Sequence, residues 1–123
     1  VQRLQADHFV DEARFARSFA NDKFRFNHWG RIKINYELSQ KGIPSDVREE
    51  ALTSIEEEPY REALTELLRS KIRTTKAKNA YELVQKLLRF AASRGFESGL
   101  ALECTRSLLN KEADDALDAF DSE

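Results

Sequence analysis

The sequence predicts an all-α fold of tandem three-helix repeats stacked into an elongated helical domain. Three observations lead there. Turn formers are scarce: 123 residues hold four Gly and two Pro, too few for the many turns of a sandwich or barrel. The chain also matches itself at a shift of 53 residues, so that Ile34 meets Leu87, Leu38 meets Ala91 and Gly42 meets Gly95. The match continues with Ile43 and Phe96, Val47 and Leu100, Ala51 and Cys104, and Ile55 and Leu108. Finally, these positions fall mostly four apart, which is a helical spacing. A period near 50 residues implies stacked units that share one core.

The first helix is expected over 11–24, with Asp11 as its N-cap. Phe9, Ala13, Ala16, Ala20 and Phe24 share one side, and Phe15 and Phe19 widen the stripe. Asn27, His28, Trp29 and Gly30 break the pattern. Residues 31–38 then alternate polar and apolar, which by period alone says strand. The repeat overrules that reading. Leu83, Val84, Leu87, Leu88 and Ala91 form a helical stripe in the second copy, so 31–41 is predicted helical as well. Gly42 and Gly95 each follow a basic residue, Lys41 and Arg94. Both stand where a helix end takes a left-handed residue. The third helix is expected over 46–56, capped by Ser45 or Asp46.

The second copy is read as helices over 59–73, 79–94 and 98–109. Pro59 suits a first turn, and Tyr60, Ala63, Leu64, Leu67, Leu68 and Ile72 make an apolar face. The layout is then a remnant of an upstream element (1–6), two three-helix repeats (7–57 and 58–110) and an acidic tail (111–123). The tail has few core formers beyond Leu117 and Phe120 and is expected to be mobile or loosely docked. Ile32 and Tyr36 lie opposite Ile34 and Leu38 on the second helix. That face is expected to be sandwiched between stacked units, the alternative being a face presented to a partner.

Composition bounds the function. Hydrophobic residues make up 41%, with eight Phe, three Tyr and one Trp, enough large side chains to argue against disorder. The single Cys permits no intrachain disulfide and fits a reducing compartment. No apolar run approaches the ~18 residues of a span, and no signal-peptide pattern opens the chain, so a cytoplasmic location is expected. There is no Met, and the chain is expected to begin downstream of its natural start. The net charge of −2 is unevenly laid out. Residues 1–58 carry 9 basic and 11 acidic side chains, 59–111 carry 11 and 5, and 112–123 carry none and 6. Such placement suggests a charged partner.

Catalytic motifs are absent. His8 and His28 have no metal-ligand spacing to each other or to Cys104, and both read as structural or solvent-exposed. Cys104 aligns with Ala51 and reads as a small buried residue. There is no phosphate loop, nucleophile elbow or zinc pattern, so neither an enzyme nor a cofactor is expected. Glu56, Glu57 and Glu58 read as a solvated helix terminus. The stronger signal is basic. Arg69, Lys71, Arg73, Lys76 and Lys78 place five positive charges in ten residues without an acid, and Lys86, Arg89 and Arg94 follow. Arg69, Arg73 and Lys76 are expected to share one edge of a helix. Such a stretch serves an acidic protein surface or DNA phosphate. The other reading, a solvated face balanced by carboxylates of other helices, stays open.

Several segments taken together carry a resemblance. Asp11 to Ala16, then Trp29-Gly30-Arg31-Ile32 leading to Glu37-Leu38 and Lys41-Gly42-Ile43, resemble the RecX family of bacterial recombination regulators. Lys86 to Phe90 followed by Arg94-Gly95-Phe96 fits that family's last repeat. The likeness covers about residues 4–110. It implies three tandem three-helix repeats, of which this chain holds two. It also implies binding to the RecA recombinase, mainly as its filament on DNA, and inhibition of ATPase, strand-exchange and coprotease activities. Roles in DNA repair, recombination and the SOS response follow, with DNA contact, no membrane and no small-molecule substrate. The alternative is a helical nucleic-acid-binding module acting by competition for DNA. A third reading is a plain helical scaffold.

Overall fold

The structure is a computed structural model. It describes the backbone of residues 2–121 and the side chains of residues 11–110. Six helices follow one another: α1 (Gln2–Asn27), α2 (Arg31–Gln40), α3 (Ser45–Thr53), α4 (Glu57–Thr74), α5 (Ala80–Ser93) and α6 (Ser98–Asp121). Helices α1, α2 and α3 pack on one another, and so do α4, α5 and α6. Among the described residues there is no strand.

The 31–38 segment is helical, and its alternation has a plain cause. Ile34 and Leu38 are buried in the core, whereas Ile32 and Tyr36 are 56% and 60% exposed. The expected sandwich is therefore wrong. The second repeat meets α2 at its first turn and not along its side, so the outer apolar face stays uncovered.

The core follows the 53-residue match. Ile34 and Leu87, Leu38 and Ala91, Ile43 and Phe96, Ala51 and Cys104, and Ile55 and Leu108 are all buried pairs. Val47 is buried, while its counterpart Leu100 packs at the margin. Cys104 is a buried free thiol. Burying each large apolar side chain contributes about 1.5–3 kcal/mol, which is what draws the amphipathic stripes together.

Both α2 and α5 end in the same way. Gly42 and Gly95 have φ of 83° and 90°. The Gly42 N–H donates to the Ser39 carbonyl (3.0 Å) and the Ile43 N–H to that of Leu38 (3.1 Å). The Gly95 N–H donates to Ala92 (3.0 Å) and the Phe96 N–H to Ala91 (3.0 Å). This pair of bonds satisfies the last orphan carbonyls, and the apolar residue after each Gly folds back on the final turn.

Several helix limits differ from expectation. Helix α1 starts at Gln2, so Asp11 is no N-cap but an exposed interior residue. No Gly or Pro in 2–10 interrupts the helix. His8 and Phe9 lie outside the described side chains. At α3 the N-cap position is Pro44 with no side-chain cap, and the Asp46 carboxylate instead accepts from the Val47 N–H at 3.0 Å. Helix α4 ends at Thr74 because Thr75 is extended (φ −94°, ψ 124°). Lys76 therefore belongs to the link and not to a helical edge with Arg69 and Arg73. The backbone of α6 continues as helix to Asp121, where a loose tail was expected. The side chains of Leu117 and Phe120 lie outside the described residues.

Candidate macromolecule-binding surface

The two repeats meet at a narrow joint built on backbone. The Gly30 N–H donates to the Arg94 carbonyl (2.7 Å) and the Ile32 N–H to the Gly95 carbonyl (2.9 Å). The Arg31 N–H donates to the Tyr60 hydroxyl (2.9 Å). Helix α2 has no side-chain cap of its own, so residues of the second repeat take up its first orphan N–H groups. A Cβ on Gly30 would overlap the Gly95 carbonyl, and one on Gly95 would overlap Lys33.

Tyr60 fills the centre of this joint. Its ring is buried between Phe24 (5.5 Å between centroids) and Phe96 (5.2 Å), with the Arg31 guanidinium 4.0 Å above it. The Tyr60 hydroxyl donates to Glu97. Burial, and next this bond to Glu97, hold the hydroxyl above the ordinary phenol range. Arg31 also donates to Glu57 (2.9 Å) and to the Ile55 carbonyl (2.8 Å). Glu57 thus reaches the joint through Arg31, although it is exposed like Glu56 and Glu58 beside it. A cavity of about 640 Å³ opens beside Arg31, lined by Ile32, Leu52, Ile55, Glu49 and Glu56 among others.

The eight basic residues singled out by sequence divide into groups. Arg69 pairs with Glu66 one turn away, and Lys86 pairs with Glu82 at 3.1 Å and reaches the Lys76 carbonyl at 2.6 Å. The Lys86 bond holds the Glu82 carboxyl below its ordinary range. These two cations are neutralised within their own helices, whereas the solvated-face reading looks to carboxylates of other helices. Lys71 and Arg94 converge on Phe90, at 5.0 and 5.6 Å from the ring centre. Arg73 lies in the last turn of α4, Lys76 and Lys78 lie in the link, and Arg89 is exposed on α5. Among the described residues, Lys71, Arg73, Lys76, Lys78, Arg89 and Arg94 form no ion pair.

Sequence reasoning missed a second cluster in the first repeat. Lys23 lies 5.5 Å from the Phe19 ring centre and 5.0 Å from that of Trp29. Lys33 lies 4.7 Å from Trp29, and Lys41 lies 5.4 Å from Phe19. Phe19 and Trp29 meet edge to face at 6.4 Å. These lysines come from α1, α2 and the end of α2, so no run of charge announces them. One signal was available. The basic residue before each Gly, Lys41 and Arg94, lies over an aromatic ring in both repeats. From sequence, Lys41 reads only as a partner for the helix dipole, whereas Arg94 reads also as one of the basic binding residues.

His28 is exposed, with φ 58°, where α1 ends. Among the described residues no group of three or more His, Cys, Asp or Glu is placed to hold a metal ion. No described helix is long and apolar enough to cross a membrane.

Comparison with known proteins accounts for the tandem arrangement. Residues 11–52 match the family model of the second three-helix domain of RecX, and residues 58–104 match that of the third. The chain is 32% identical over 114 residues to the regulatory protein RecX of Clostridium botulinum strain Eklund 17B, covering 91% of this chain and 53% of that protein. It is 29% identical over 114 residues to that of Clostridium perfringens strain 13, with the same coverage. Against that of Prosthecochloris aestuarii it is 42% identical over 52 residues, covering 42% of this chain and 34% of that protein. The chain thus spans about half the length of the clostridial relatives it matches. No solved structure matches it. Two successive domain models, found in order and covering most of the residues, show that the chain belongs to the RecX family.

Proposed function

We propose that this chain regulates a RecA-type recombinase by binding RecA or the RecA–DNA filament in the cytoplasm. Bound there, it lowers ATPase, strand-exchange and coprotease activity without catalysis of its own. The relatives named regulatory protein RecX support this reading. The observation that carries it is the set of cations on the second repeat that form no ion pair among the described residues: Lys71, Arg73, Lys76, Lys78, Arg89 and Arg94. Cations without a carboxylate partner can meet an acidic surface or phosphate without first breaking an ion pair, and a partly exposed contact of this kind is worth up to about 1 kcal/mol. Arg69 and Lys86 contribute less because Glu66 and Glu82 already engage them.

The test is RecA ATPase on single-stranded DNA, with and without the chain. Addition is expected to lower turnover. Arg73→Glu with Arg89→Glu is expected to relieve that inhibition most at low salt, where screening is weakest. Undiminished turnover at saturating chain would refute the reading. Equal inhibition by parent and double variant would remove this face from it.

A further inference from the structure

The lysine and aromatic cluster of the first repeat is separate from the residues that carry the proposed function. Phe15, Phe19, Lys23 and Phe26 fall within an arc of about 80° on α1, since 11 residues make just over three turns. Phe15 and Phe26 are 45% and 72% exposed, and Phe15 lies 5.8 Å from Phe19. Phe19 is partly buried against the core, whereas Phe15 and Phe26 gain little from packing within their own repeat. Lys23, Lys33 and Lys41 surround Phe19 and Trp29, and among the described residues none of them forms an ion pair. Glu37 on α2 lies four residues from both Lys33 and the cap residue Lys41 and pairs with neither.

We propose that this face binds single-stranded nucleic acid, with phosphates on Lys23, Lys33 and Lys41 and bases against Phe15, Phe19 and Trp29. Two features of the face argue for a single strand. Every base has a flat π surface, and single-strand sites combine lysines along the backbone with aromatic platforms for the bases. A duplex hides its bases and would use only the lysines. An acidic protein surface would likewise leave the exposed rings unpartnered. The ammonium groups now rest over the rings as weak cation–π contacts. A lysine drawn outward to a phosphate uncovers the ring on which a base then stacks.

The test needs no RecA, so it stands or falls separately from the proposed function. Trp29 is the single tryptophan of the chain, and its fluorescence reports base stacking directly. Titration with oligo(dT) is expected to quench Trp29, and a duplex of equal length is expected to bind more weakly with little quenching. Lys23→Gln, Lys33→Gln and Lys41→Gln together should weaken oligo(dT) binding about tenfold or more at low salt. They should also reduce the log–log salt slope by about 2, since each single-strand phosphate contact contributes about 0.7. Phe15→Ala with Phe26→Ala, at exposed positions, should weaken binding about fivefold or more. Glu37→Gln should tighten it. Absence of quenching, equal affinity for the duplex, or unchanged binding by the lysine and phenylalanine variants would overturn the proposal. Competition by polyglutamate as effective as by oligo(dT) would do the same, because the face would then read charge alone.

Discussion

Gly42 and Gly95 stand 53 residues apart at the same place in the two repeats, with φ of 83° and 90° and the same two capping hydrogen bonds. Their surroundings differ. Gly42 is exposed, with open space where a Cβ would stand, while Gly95 is buried against Lys33 at the start of α2. The second turn therefore does two things. It ends α5, and its Arg94 and Gly95 carbonyls receive the Gly30 and Ile32 N–H groups. A local motif that satisfies helix-end carbonyls has become a socket for the beginning of another helix. Coupling between the repeats is concentrated at this point, with Tyr60 beneath it, and is not spread over a broad apolar face.

The comparison is most easily broken at Gly30. Its φ of −82° and ψ of 171° suit any residue, so Gly30→Ala carries no conformational penalty. The added Cβ would overlap the Gly95 carbonyl and crowd the Phe96 nitrogen, both backbone groups that cannot swing aside. A loss of about 3 kcal/mol or more is expected, read as the shift of a urea unfolding curve. A loss below about 1 kcal/mol would mean that the joint is looser than described.

The glycine pair comes next. Gly42→Ala should cost about 1–2 kcal/mol, the price of a left-handed backbone alone. Gly95→Ala adds the collision with Lys33 Cβ and N, nearly as close as the one at Gly30, and should cost about 2 kcal/mol or more beyond its counterpart. Valine at either position should be worse, because a β-branched residue resists positive φ. Equal losses for the two alanine variants would show that the contact with α2 contributes nothing.

What could be read from sequence was whatever repeats. The Gly turns, the helical state of 31–40 and the buried pairs all recur at the 53-residue shift, and two copies outweigh one misleading alternation. What could not be read depends on partners far along the chain. Gly30 looked like a breaker, but its neighbour Gly95 lies 65 positions away. Lys23, Lys33 and Lys41 look scattered until α1 and α2 bring them to Phe19 and Trp29. The reverse holds for Lys76, which seemed to continue a helical edge until Thr75 turned extended. Ile32 and Tyr36 showed that a second apolar face can be left open, since periodicity records that a face is apolar and not what covers it.

Capping gives the sharpest pair of effects, and at Asn79 the smallest. Helix α2 relies on the other repeat, through the Tyr60 hydroxyl that accepts from the Arg31 N–H. Helix α5 relies on itself, through the Asn79 side chain that accepts from the Glu82 N–H at 2.8 Å. Tyr60→Phe removes an acceptor from Arg31 and a donor from Glu97 in a part-buried setting, and should cost about 2 kcal/mol. Because the lost bond crosses the joint, amide exchange should rise in the first turn of α2 as well as around Tyr60. Asn79→Ala removes a cap that lies wholly within the second repeat and should cost about 1 kcal/mol. Its effect on amide exchange should stay in the first turn, at residues 80–83, where the Glu82 N–H loses its acceptor. Faster exchange at Arg31 and Ile32 in the Asn79 variant would contradict the separation between a helix capped locally and one capped across the joint.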